Sequence, residues 1–235
     1  MEDARLLAAW EDGLDQHPLD RALTLLLADR PQATRAELAQ LAVGERDARL
    51  LAFYRDWFGP RLKGRASCPQ CAVETEFDLE IDSVLGAASA SPGGPCEVES
   101  GGRRLRLKPV TTLDLAAALA CEDEACARRL LAGRCVQPLD GGETPEGAAL
   151  DEVMPLLRAC DPLGEVRVGL TCPACGREWS ELIDAPGFVW ARVDLYAQRL
   201  LREVHGLASV YGWSETEILT LSPARRGLYL ELAGV

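Results

Sequence analysis

Apolar residues recur at steps of three and four over the first 60 positions, alternate with polar ones between residues 73 and 82, and return to steps of three and four after residue 186. The first regime predicts amphipathic helices. In "HPLDRALTLLLADRP", Leu19, Leu23, Leu26 and Leu27 share a face, with Pro18 in the first turn and Pro31 beyond the end. Thr34 and Glu37 have capping-box spacing at the head of "ATRAELAQL". A further helix is expected from about Gly44 to Phe58, carrying Leu50, Leu51, Tyr54, Trp57 and Phe58 and stopping at Gly59-Pro60.

In "VETEFDLEID", Val73, Thr75, Phe77, Leu79 and Ile81 alternate with Glu74, Glu76, Asp78, Glu80 and Asp82. That is the period of a half-buried strand, and it predicts one core-facing side and one wholly acidic side. "GAASASPGGP" reads as a flexible loop, and "CEVESGGRRLRLKP" as a hairpin turning at Gly101-Gly102. One helix is expected over Thr112–Ala132, with acids early and Arg128 and Arg129 late, and another in "TPEGAALDEVMPLLRAC", kinked by Pro155. Strand pattern resumes at "EVRVGLT" and "REWSELID". From Gly187 to Tyr211, Val189, Val193, Tyr196, Leu200, Val204, Leu207 and Tyr211 form the stripe of a helix about 35 Å long. Ser214 with Glu217, and Ser222 with Pro223, head two short helices after it.

Of 235 residues, 37 are Asp or Glu and 25 Lys or Arg, a formal charge of −12, which repels nucleic-acid phosphates and anionic membranes and favours protein partners. There is no apolar run of membrane-spanning length, and the acidic N-terminus lacks a signal peptide's basic head, so a cytoplasmic location is expected. Nine cysteines, an odd number in a reducing compartment, fit a disulfide framework poorly and metal binding better.

Cys68-Pro-Gln-Cys71 and Cys172-Pro-Ala-Cys175 have one form. Each turn can present two thiolates, and zinc favours four tetrahedral ligands, so the two pairs predict one closed structural zinc site. Residues 72 to 171 intervene where a compact ribbon has 15 to 20, so that insertion must fold out and back. Gly176 suits the turn after the second sulfur; Ala72, in the same place of the first knuckle, suits it less. The competing reading makes each pair an unmetallated turn or a local redox couple, although strand-like sequence follows both where a thioredoxin-like site needs a helix. Cys96, Cys121, Cys126, Cys135 and Cys160 are read as small buried apolar residues. Together these features predict an α+β protein: an N-terminal helical segment (1–62), a zinc-ribbon-like β region (63–185) with a helical insertion at about 110–160, and C-terminal helices (186–235), forming one compact unit.

Signals for catalysis are missing. His17 and His205 have no nucleophile or metal partner in sequence and fit cap or surface roles; no phosphate-binding loop, dinucleotide fingerprint or nucleophile elbow occurs. The chain is therefore expected not to be an enzyme. Trp10, Trp57, Trp190 and Trp213 are candidate exposed aromatics of a binding surface, against plain core packing.

"HPLDRALTLLLA", "GERDARLLAFYRDWFGPRL" leading into "CPQC", "ARRLLAGRC", "LTCPACGREW" and the ending "LLREVHGLASVYGWSETEILTLSPARRGLYLEL" resemble the T-even-type baseplate hub assembly chaperones of phages and of phage-like contractile injection systems. The resemblance runs in order over nearly the whole chain and is most specific in the C-terminal segment and the two Cys-Pro-x-Cys pairs. It implies a cytoplasmic, non-enzymatic assembly factor that binds baseplate hub proteins in the bacterial host cell, with Cys68, Cys71, Cys172 and Cys175 as zinc ligands. A permanent structural adaptor of the baseplate is the competing role, and a zinc-ribbon nucleic-acid binder a weaker one. The acidic strand face and the C-terminal helix are the surfaces expected to meet the hub.

Overall fold

The computed structural model describes residues 3–90 and 93–234 and is mixed helix and small antiparallel sheets, as expected. In chain order come α1 (Asp3–Gly13), α2 (Pro18–Asp29), α3 (Arg35–Ala39), α4 (Val43–Phe58), β1 (Arg61–Ser67), β2 (Glu74–Glu80), α5 (Ile81–Ala90), β3 (Cys96–Ser100) and β4 (Arg103–Leu107). They are followed by α6 (Thr112–Leu119), α7 (Glu124–Cys135), β5 (Val136–Pro138), α8 (Ala148–Ala159), a 3-10 turn (Pro162–Glu165), β6 (Arg167–Thr171), β7 (Glu178–Leu182), α9 (Ala185–Tyr211), α10 (Glu215–Leu219) and α11 (Pro223–Ala233). Among the described residues no helix is long and apolar enough to cross a membrane.

The chain divides into two units, residues 1–32 with 186–235, and residues 33–185, in place of the single unit expected. The reason is that the two chain ends pack on each other. In the terminal unit, Leu7 of α1 closes against Ala197 and Leu200 of α9, flanked by Trp10, Tyr196 and Leu219. Gly13 is required there, because a Cβ would stand 2.4 Å from the Trp190 ring. Polar groups fix the arrangement: the Trp10 Nε1–H donates to Asp194 at 2.8 Å, the Tyr196 hydroxyl to Asp3 at 2.9 Å, and Arg21 lies over Trp190 at 4.7 Å. Arg226 is fully buried and paired with Asp3 at 2.7 Å and Glu203 at 3.0 Å, joining α1, α9 and α11.

Among its described residues the central unit holds three small sheets: β1-β2, β3-β4-β5 and β6-β7, all antiparallel. Its main described core gathers Leu105, Leu107, Val136, Leu150, Val153 and Leu157 between the three-stranded sheet and α7 and α8. The β3-β4 hairpin turns where expected, with Gly101 and Gly102 at φ 57° and 73°.

Several expectations are corrected. The alternating strand stops at Glu80, and Ile81 starts α5; residues 86–90 of the expected loop are helical, while residues 91 and 92 lie outside the described residues. The expected helix over 112–132 is two, because Asp123 is an N-cap whose carboxylate accepts from the Cys126 N–H at 2.7 Å and restarts the chain as α7. α8 continues through Pro155, which has no N–H to give the carbonyl of exposed Asp151 one turn back. The strand face from Glu74 to Glu80 is not wholly acidic. Arg61, Lys63 and Arg65 of β1 stand opposite Glu80, Asp78 and Glu76, and Arg65 pairs with Glu76 at 2.9 Å. Strand β1 carries no readable alternation, since Gly64 and Ala66 occupy two of its three inward positions.

Candidate metal centre

Each Cys-x-x-Cys pair is the turn of a hairpin. β1 and β2 pair up to Ser67↔Glu74, leaving residues 68–73 as their turn; β6 and β7 pair up to Thr171↔Glu178, leaving residues 172–177. The two turns are closed by the same bonds. The Cys68 N–H donates to the Val73 carbonyl at 3.0 Å and the Ala72 N–H to the Cys68 carbonyl at 2.9 Å; the Cys172 N–H donates to Arg177 at 2.8 Å and the Gly176 N–H to Cys172 at 3.0 Å. The residue after the second sulfur is left-handed in both, Ala72 at φ 59° and Gly176 at φ 72°. The alanine read as unsuited therefore adopts the same backbone as the glycine.

With β2 beside β6, the two turns meet face to face. Cys68 Sγ lies 3.7 Å from Cys175 Sγ and Cys71 Sγ 3.5 Å from Cys172 Sγ, and all four sulfurs are within 4.8 Å of one another. The four cysteines expected as ligands are thus brought together, in a cluster able to hold a metal ion. Cys68 and Cys172 are buried, Cys71 and Cys175 exposed. Backbone N–H groups face the sulfurs. The Cys175 N–H, with that of Ala174, draws the Cys172 thiol down to about 6 against its burial. At Cys68 burial is outweighed by the N–H groups of Cys71 and Gln70, which hold the thiol below its usual value. The second sulfurs go the other way. The pull of the Val73 N–H on Cys71 is overcome by the Cys172 thiol and burial, which push it up to about 12, and Cys175 is raised in the same manner despite the Arg177 N–H. Four sulfurs this close cannot all carry charge unless a cation is shared among them.

The remaining cysteines divide. Cys135 is buried as expected, and burial, with Asp114 next in effect, raises its thiol to about 11, so it stays protonated at neutral pH. Cys96 and Cys160, read as single apolar residues, are joined in a disulfide between β3 and the end of α8 with Cα atoms 6.3 Å apart. Sequence gave no sign of this bond, because 64 positions separate the partners. Cys121 and Cys126 are half-exposed, and their thiols interact across the break between α6 and α7. His17 caps α2, its Nδ1 accepting from the Leu19 N–H at 3.3 Å, and His205 is exposed. None of the four candidate tryptophans is fully exposed: Trp10 and Trp190 are engaged in the terminal unit, Trp57 tilts against Phe53 at 6.0 Å, and Trp213 stacks on Tyr211 at 4.7 Å. No protein-family model, no characterised protein and no solved structure matches the chain.

Proposed function

We propose that the four cysteines hold a structural zinc ion and that the chain is a non-enzymatic assembly factor binding hub proteins of a phage-like contractile baseplate. The observation that carries the structural part is the closed four-sulfur cluster. A tetrahedral zinc with bonds of about 2.3 Å to sulfur places its ligands about 3.8 Å apart. The Cys68–Cys175 and Cys71–Cys172 sulfurs stand at 3.7 and 3.5 Å, and sulfur fills all four positions, leaving none for a substrate or an activated water. Such a site clips hairpins together and does no chemistry.

The partner class rests on the sequence resemblance, supported by surface and charge. The charge of −12 disfavours the nucleic-acid reading. The β1-β2 face, matched cation for carboxylate, no longer recommends itself as an acidic docking surface. α11 offers Leu228 and Leu232 one turn apart, 60% and 78% exposed, which suits a helix that meets a partner.

Quantitative mass spectrometry of purified contractile particles and of the unassembled hub fraction from the same lysate tests the role. Enrichment with free hub subunits and absence from finished particles is the expected result. Fixed stoichiometry in the particle would make the chain a permanent adaptor, and absence from both fractions would sink the baseplate reading.

A further inference from the structure

The central unit has a cavity of about 230 Å³ lined by Val43, Val110, Leu115, Leu131, Met154 and Leu157, with Arg158, Asp161 and Glu165 also on its wall. Its size limits what enters. Cavities of about 150 Å³ admit benzene, and sites for drug-sized ligands and cofactors begin at about 300 Å³. One long side chain fits this range.

The polar groups set the charge of that side chain. Glu165 is already shared between Arg158 at 3.1 Å and Arg167 at 3.9 Å. Asp161 has no ion-pair partner among the described residues: its Oδ2 accepts from the Gly44 N–H at 2.8 Å, and Arg46, the cation that acts on it, is held by Asp47 at 2.7 Å. Three glycines surround this carboxylate. A Cβ would come within 2.1 Å of Oδ1 at Gly44, 2.9 Å of Oδ1 at Gly93 and 3.1 Å of Oδ2 at Gly164. The backbone at these three positions packs closely on the Asp161 carboxylate, which fills the space their side chains would take and which, among the described residues, has no ion-pair partner.

We propose that this cavity receives one partner side chain with an aliphatic stem and a basic tip, of the lysine kind, the stem lying on Leu115, Met154 and Leu157 and the cation on Asp161. Long basic side chains bury their stems on apolar surface while the charged head finds a polar group, and a buried anchor of this type is what fixes a protein partner. The inference rests on the partner-binding reading above and names the chemistry of the contact.

Met154 is one of only two methionines in the chain, the other being Met1, so methyl-13C-methionine labelling gives a direct NMR report of the cavity. The probes are acetyl-Gly-Lys-Gly-amide, the same peptide with norleucine for lysine, and free hexylamine. The lysine peptide is expected to shift the Met154 methyl saturably, at least about tenfold more tightly than the norleucine peptide, as a charge-assisted contact should. Asp161→Asn, which keeps an acceptor for Gly44, is expected to erase that difference. Should this variant fail to fold, the two peptides compared on the unaltered chain decide the matter alone. No Met154 response to any probe, or equal binding of the two peptides, overturns the proposal; binding of hexylamine without the lysine peptide assigns the cavity to a small amine and overturns the partner part. These outcomes are independent of particle fractionation: a chain missing from every hub fraction would remove the baseplate reading while leaving a lysine-specific Met154 response standing.

Discussion

Ala72 and Gly176 close the two knuckles with the same left-handed backbone, but only glycine enters that region without strain from a Cβ. A reciprocal pair of substitutions follows from this. Ala72→Gly is expected to stabilise the central unit by up to about 1 kcal/mol, and Gly176→Ala to destabilise it by a similar amount, both read from denaturant midpoints in metal-loaded protein. Destabilisation by Ala72→Gly would mean that the methyl group makes a contact that outweighs the strain. At this scale the cysteine pairs were legible in sequence because their spacing is itself the chemistry: two residues between sulfurs allow one turn to aim both. The Cys96–Cys160 bond was not, since it depends only on how β3 meets α8.

Among the elements, α11 is tied to the rest of its unit by Arg226, fully buried between Asp3 and Glu203 and also donating to the Leu221 carbonyl at 2.8 Å. Removing one member of a buried charge network leaves the others uncompensated, which typically costs about 3–5 kcal/mol. Arg226→Ala is therefore expected to lower the stability of the terminal unit by that order, whereas Arg225→Ala, one position away and exposed, should change it by less than about 0.5 kcal/mol. Equal effects in thermal denaturation would remove Arg226 from its place in the account. Helices with apolar stripes and capping boxes were readable: Thr34 with Glu37 and Ser214 with Glu217 form the reciprocal bonds their spacing predicts. Thr111 with Asp114 forms the same reciprocal bonds at the head of α6, a box not anticipated from the sequence. Strand β1 was hidden because Gly64 and Ala66 leave no alternation to see, and the break after α6 because Asp123 resembles an ordinary helix acid until its carboxylate is seen to cap α7.

For the whole molecule, the two Cys pairs lie more than 100 positions apart in sequence, and their meeting fixes the central unit's two outer hairpins against each other. Metal removal should consequently be felt unevenly. Chelation is expected to raise amide exchange first in residues 61–80 and 167–182, while the helix 185–211 and α1 keep their protection until global unfolding. Simultaneous loss of protection in both units would contradict a clip confined to one of them. The sequence conveyed the α+β class and the four-cysteine cluster, but not the return of α1 to α9, which depends on Leu7, Trp10 and Asp3 meeting residues more than 180 positions away.

The most direct test is zinc analysis combined with X-ray absorption at the zinc edge on protein purified without added metal. One zinc per chain with four sulfur neighbours at about 2.3 Å is expected, with loss of that signal in Cys172→Ser. Substoichiometric metal, fewer than four sulfurs, or full zinc content in Cys172→Ser would contradict the four-cysteine zinc site.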